Sequence, residues 1–385
     1  MFKKPLQFPQ QEESEPMAGG IGGLHDNISP TNRPLNLLSV CRNMRRFGVS
    51  AAQTRGGRGI IGDQVGVTRI LGLSGYYTAS LKKLIAQSGT ILKVYNDVTE
   101  VWDSLKTGMT AAPYEGVTFN DLHIITNGTD NVQKYDGAAV SDLGGTPPKG
   151  KYITSAYQRV FISGVSGSPH LLYASDIANA EEWSTGDSAA VPVNDKDGDE
   201  IEWVTLYKSN LCIWKRYALF ELHGPELGQT TDNWSIVPIA KIGTPNGRTI
   251  ADVNGLLYWL SDSENSKGIV RWGGGRPVLI SEPIESIIDS INYGAIGTAF
   301  GVSSGEGEYL LAVPTGDSTY PDTVIVYNVA DNSWWVWDGW NPTAFLPYRI
   351  GDTSTLLMGD EDGYVYAFGG AIDEEPVMFM LLAGQ

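Results

Sequence analysis

The densest run of carboxylates in this 385-residue sequence is Asp195-Lys196-Asp197-Gly198-Asp199-Glu200. Alternate acids around a glycine turn can hold Ca²⁺, with Asp195, Asp197 and Asp199 as ligands. The helix-flanked calcium loop needs a further chelating Glu, however, and here the run passes directly into a strand-forming segment. A solvated loop between structural units accounts for it without a cation. Asp360-Glu361-Asp362-Gly363 carries the Asp-Gly pair of a tight hairpin turn, which also needs no metal.

Other chemistries find less support. His25, His123, His170 and His223 are scattered, and Cys41 lies far from Cys212, leaving neither a zinc-ligand spacing nor a disulfide framework. His123 and His223 fall on strand-like segments and read as packed or rim residues. None of the four has a nucleophile motif such as G-x-S-x-G around it. Gly273-Gly274-Gly275 opens no helix and lacks the Lys-Ser/Thr of a phosphate loop. Glycoside hydrolases pair two carboxylates across a pocket, but with 44 acids composition nominates no pair, and no acid lies in a local motif that would raise its pKa. The residues nominate no catalytic group and no cofactor, and the expectation is a protein without enzymatic activity.

Charge is distributed unevenly. The net charge is −17, yet residues 1–60 carry eight Lys/Arg against four acids, giving +4 there and −21 in the remainder. An acidic body serves solubility and repels nucleic acid over most of its surface. The asymmetry suggests more: a basic arm that docks on an acidic neighbour such as another copy of the chain. Arg42, Arg45, Arg46, Arg55 and Arg58 are the subunit-contact candidates. A nucleic-acid contact through Arg42–Arg46 is disfavoured by the absence of interleaved aromatics. No apolar run is long enough to span a membrane, and Met1-Phe2-Lys3-Lys4-Pro5 does not read as a secretory leader.

The elements that carry these residues are strands. Gly116 to Gly137 reads strand, turn at Asn120-Asp121, strand, turn at Asn127 to Asn131, strand, closing in Tyr135-Asp136-Gly137. The same phrase returns with first turns near Lys82, Asp121, Arg159, Asn210, Gly255, Gly307 and Ser354, at spacings of 39, 38, 51, 45, 52 and 47 residues. That is the length of a four-stranded propeller blade. The expected fold is all-β, a propeller of about seven four-stranded blades over residues 67–385, preceded by an extended basic arm over 1–66 whose prolines and glycines prevent regular structure. Second strands such as Leu211–Trp214 are near-continuous apolar runs, as burial between blades requires. Trp102, Trp183, Trp234 and Trp334-Trp335-Val336-Trp337 mark fourth strands. Ile284, Ile287, Ile288 and Ile291 predict a short amphipathic helix between units five and six. The seventh unit lacks an evident fourth strand; Val377 to Leu382 either supplies it or begins a further domain.

In this order the chain resembles the β-propeller virion proteins of tailed bacteriophages, the tail-nozzle, tail-hub and neck-associated components. The likeness covers most of the chain. It rests on Gly22-Gly23 leading through Ser29-Pro30 to Arg42-Asn43-Met44 and Arg55-Gly56-Gly57-Arg58, on the Tyr-bearing third strands, and on the Pro283–Ile291 helix. The resemblance implies a non-enzymatic structural subunit, a homo-oligomer around the tail axis, assembled in the host cytoplasm and located in the virion. Its implied partners are other copies, portal, adaptor or other tail proteins, and DNA passing during ejection without specific binding. A glycan-binding or glycan-cleaving propeller is the alternative. An intracellular WD-repeat scaffold lacks its Gly-His and Trp-Asp signatures at blade spacing.

Overall fold

The chain turns where a residue tolerates a left-handed backbone. Asn120 and Asp121 both have positive φ (47° and 61°), the geometry of a two-residue hairpin whose twist matches its strands, and Glu115–Phe119 pairs there with Leu122–Thr126. Tyr157 and Gln158 adopt the same conformation (51° and 58°) without help from Asn, Asp or Gly. Tertiary bonds hold that turn instead: Tyr157 Oη donates to Ser209 O at 2.7 Å, and Gln158 O accepts from Ala178 N–H at 2.7 Å.

The computed structural model describes residues 22–370, except 30, 31, 33, 35, 48–50, 226–232, 265 and 351–352, and also describes 379–380. Seven four-stranded antiparallel sheets form a β-propeller. The first strands ring the axis, each against the next: Ile70–Tyr77, Glu115–Phe119, Tyr152–Ala156, Ile201–Tyr207, Ala251–Val253, Phe300–Ser303 and Pro342–Ile350. Between the fourth and fifth of these, a 3₁₀ turn, Gly247–Thr249, fills the gap left by a first strand of three residues. Second strands are sandwiched between blades. Arg159–Ser163 and Glu308–Val313 are buried at every position, as their apolar runs require. Among the described residues no helix is long and apolar enough to cross a membrane.

Trp102 lies on the fourth strand of blade 1, and Trp334, Trp335 and Trp337 on that of blade 6, Ser333–Asp338. Trp234 directly precedes the fourth strand of blade 4, Ser235–Ala240. Trp183 does not belong to a strand. It lies in the loop before Ala189–Pro192, where its indole N–H donates to Ala180 O at 2.7 Å. The isoleucine pattern yields a 3₁₀ turn, Glu282–Ile284, running into a short α-helix, Glu285–Ser290, with Ile284, Ile288 and Ile291 buried against the blade 5–blade 6 core.

The seventh blade corrects the expected boundary at residue 66. Its fourth strand is Gly57–Ile60, paired antiparallel with Val365–Gly370, so the segment expected to be an arm supplies the strand that closes the ring. Val377 to Leu382 does not fill this place. Phe379–Met380 pairs with Val40–Cys41 instead, and the rest of that segment lies outside the described residues. Pro5, Pro9, Pro16 and Pro30 also lie outside them. Closure by the opposite end of the chain leaves no blade edge unpaired at the seam.

Upstream of that strand, residues 22–55 form a strap across blade 6. Leu24 N–H donates to Trp334 O and Asn43 N–H to Val336 O, both at 2.8 Å, so the strap hydrogen-bonds the free edge of Ser333–Asp338. A hairpin of Met44–Phe47 and Ala51–Thr54 follows. Trp335 and Trp337 are thereby enclosed with Cys41, Met44, Trp340 and Met358. Gly23 makes the close approach feasible. Its φ is +86°, and a Cβ there would lie 2.8 Å from Ser333 Cβ and 3.0 Å from Trp334 N. The fourth strand of blade 6 is buried for this reason, while that of blade 1, Val101–Thr107, is largely exposed.

Candidate functional site

At the end of the axis where the first strands begin lies a cavity of about 370 Å³, lined by blades 1, 2, 4, 6 and 7 and the 3₁₀ turn before blade 5. Its charged lining residues, Arg69, Glu115 and Arg248, come from separate blades, and the Tyr152–Glu202 pair lies next to them without lining it. Glu115 opens the first strand of blade 2, and Arg248 sits on the 3₁₀ turn capped by Asn246. Arg248 Nε donates to Glu115 Oε1 at 2.6 Å, with both side chains about a quarter exposed or less. Beside this pair, Tyr152 Oη donates to Glu202 Oε2 at 3.1 Å, and the Arg248 guanidinium lies 5.9 Å from the Tyr152 ring centroid. Burial raises both carboxyls above the usual range. The Arg248 charge offsets this at Glu115, and the Tyr152 hydrogen bond offsets it at Glu202. The same burial pushes the Tyr152 phenol up, which opposes its ionisation.

The rest of the cavity wall is mostly apolar, with Trp203, Phe300 and Phe345 among its lining residues. The guanidinium carbon of Arg69 stacks on Tyr320, 3.2 Å from the ring centroid. Its other observed feature is a buried terminal nitrogen, Nη1, which no acceptor among the described residues reaches. Sequence reasoning missed this constellation. It expected no acid with a raised pKa because no local motif supplies one, but the burial comes from residues that lie far apart in the chain. The linear signal is positional: Arg69, Glu115, Tyr152, Glu202 and Arg248 each lie within three residues of the start of a first strand.

His123 pairs with a serine, Nε2 lying 2.8 Å from Ser74 Oγ, which is itself 3.1 Å from Tyr114 Oη. All three are buried between blades 1 and 2, and burial lowers the imidazole pKa to about 4. With Thr118 Oγ1 and no carboxylate at Nδ1, the group acts as packing with satisfied polar atoms. Gly301-Val302-Ser303-Ser304-Gly305 matches a nucleophile pattern in letters only. It spans a strand end and the turn before Glu308–Val313, not a strand-to-helix elbow.

Within the chain, each of the arm arginines has a partner. Arg42 Nη1 contacts Asp338 Oδ2 at 2.5 Å. Arg45 pairs with Glu306 and with buried Glu308, and Arg46 with Asp331. Arg55 lies 3.7 Å over the Trp340 ring and donates to Asn43 Oδ1 at 2.8 Å, while Arg58 stacks on Tyr366 at 4.1 Å and donates to Trp340 O at 3.2 Å. The acids that meet Arg42, Arg45 and Arg46 belong to blade 6 of the same chain.

The acidic loop is organised around an internal cation. Lys215, whose side chain is fully buried, donates to Asp197 Oδ1 at 2.6 Å and to Asn194 O at 3.1 Å. Asp199 is used elsewhere, accepting from Tyr217 N–H at 3.0 Å and from Glu200 N–H. Asp195, Asp197 and Asp199 are therefore not brought together as a ligand set, and among the described residues no group of three His, Cys, Asp or Glu converges on a metal position.

No protein-family model matches this sequence, and no curated protein matches it significantly. Solved structures match it in fold. The extracellular domain of a hybrid two-component system from B. thetaiotaomicron aligns over 81% of this chain with a TM-score of 0.54 at 9% identity, and this chain spans 40% of that one. The Neurospora crassa Pan2 WD40 domain aligns over 83% of this chain and 98% of its own, with a TM-score of 0.48 at 9% identity. BamB from Moraxella catarrhalis aligns over 80% and 84%, with 0.44 at 12%. At these identities the likeness is one of fold.

Proposed function

We propose that this chain is a structural subunit of a tailed-phage virion, without enzymatic activity, built into the tail or neck. In this reading it oligomerises around the tail axis and contributes to the DNA-ejection conduit or its attachments, next to further copies of itself and to portal, adaptor or other tail proteins. The observation that carries the proposal is where the resembling motifs fall. Gly22-Gly23, Arg42-Asn43-Met44 and Arg55-Gly56-Gly57-Arg58 are the residues that strap blade 6 and close blade 7. A resemblance carried by residues with a demanding structural job is harder to produce by chance composition than one carried by surface letters.

The charge distribution adds support and sets a limit. The seven first strands hold only Glu115, Glu202, Asp252 and Arg349 as charged residues, net −2, so −15 of the chain's −17 lies outside them. The propeller's own axis is not an acidic lumen. A conduit that repels DNA phosphates must be formed between copies, by their outer faces.

The test is to locate the protein. Gradient-purified particles from the source lysate are analysed by mass spectrometry and by immunogold labelling, and the purified chain by negative-stain microscopy. Label at the tail or neck, together with rings of several copies, is the expected result. A chain that stays monomeric and does not sediment with particles sinks the proposal.

A further inference from the structure

We propose that the axial cavity is a binding site for a carboxylated sugar, with Arg69 as the residue that receives the carboxylate. The inference rests on the cavity alone and stands whether or not the chain belongs to a virion.

Three observations carry it. First, the sign of the cavity opposes that of the protein. Its only charged lining residues are Arg69, Arg248 and Glu115, net +1 in a chain of −17. Second, the two guanidiniums differ in their partners. Arg248 is engaged through Nε by Glu115, whereas Arg69 lines the cavity with no carboxylate paired to it among the described residues. Stacking on Tyr320 at 3.2 Å holds the Arg69 plane in place, and a fixed guanidinium fork matches the two oxygens of a carboxylate. Third, the rest of the wall suits a ring rather than a bare ion. Trp203, Phe300 and Phe345 line it, about 370 Å³ is the size of a small-ligand pocket, and Glu115 can accept from a ligand hydroxyl while disfavouring a doubly charged phosphate.

The experiment is calorimetric titration of the full chain with glucuronate and galacturonate, with glucose and galactose, and with inorganic phosphate. Binding of at least one uronate, and weaker or absent binding of the neutral sugars and phosphate, is expected. Arg69→Ala should weaken uronate binding about tenfold or more, the scale of one charge-assisted pair, and Arg69→Lys should recover part of it. Thermal unfolding of each variant reports whether the fold is intact. Should either variant unfold, the wild-type comparison of uronate, neutral sugar and phosphate decides alone. Absence of uronate binding, equal affinity for neutral sugar or phosphate, or an intact Arg69→Ala variant of unchanged affinity each overturns the proposal.

Discussion

Asn43 and Asp338 bond each other in both directions. Asn43 Nδ2 donates to Asp338 Oδ1 at 2.6 Å, and Asp338 N–H donates to Asn43 Oδ1 at 2.9 Å. Asn43 is buried with a positive φ of 57°, which its short polar side chain tolerates, and it also receives Arg55. Asn43→Ala strands three polar groups on two residues, Asp338 and Arg55, at once, so we expect a loss of about 2–4 kcal/mol. Asn43→Asp should cost at least as much, since it replaces a donor by a charge facing Asp338. Urea denaturation measures both, and a change under 0.5 kcal/mol in either would remove Asn43 from its place as the keystone of the strap.

Deletion of residues 1–60 is expected to abolish cooperative folding. It removes the closing strand and leaves Val365–Gly370 as a free edge, and it uncovers Trp335 and Trp337. Single replacement of Trp335 or Trp337 by Ala should cost about 3–5 kcal/mol through the cavity left behind. A truncation at residue 60 that unfolds with an unchanged midpoint would mean that neither strand nor strap stabilises the ring.

Lys215→Met should cost about 2–3 kcal/mol at neutral pH, because Asp197 and Asn194 O lose the buried ammonium. Burial pushes the Asp197 carboxyl up, but bonds from Lys215 and from Asp199 N–H outweigh that and hold it below the usual range. A carboxyl so held contributes stability above about pH 4 and loses it as pH falls through its lower folded value. The gap between wild type and variant should therefore narrow in acid. A gap that widens below pH 4 contradicts the pairing.

His123 makes the opposite neighbour of pH visible. Its pKa is about 4 in the fold and about 6.5 in an unfolded chain, so between these values the unfolded state binds the extra proton and stability falls with acidification. From pH 7 to pH 4.5 this group alone should cost roughly 2–3 kcal/mol. His123→Gln lacks the titration and should show a shallower acid loss. Parallel curves for the two proteins over that range would show that His123 is not the titrating group.

The blades were legible because their signal is local. Turns such as Asn120-Asp121 and runs such as Leu211–Trp214 mark strands within a few residues of themselves. The closing strand was not legible, since Gly57-Arg58-Gly59-Ile60 has no alternation and its partner lies at the far end of the chain. Lys215 shows the same limit. It continues an apolar run, and nothing nearby says that its ammonium turns back to a loop 18 residues upstream. The axial cavity fails for a third reason: Glu115, Tyr152, Glu202 and Arg248 each come from a different blade approach, so only the ring brings them together.

Closure of blade 7 by Gly57–Ile60 also sets an order in time. Arg58 and Trp340 are 282 residues apart in sequence yet bonded in the fold. At translation rates of roughly 5–20 residues per second, the early segment waits roughly 15–60 s for its partner to leave the ribosome. Through that interval the strap residues and the closing strand Gly57–Ile60 are synthesised but unpaired, so nascent chains arrested before residue 340 should be cleaved by protease within residues 40–60. In the released protein that region is sealed, and the two halves of the seam protect each other.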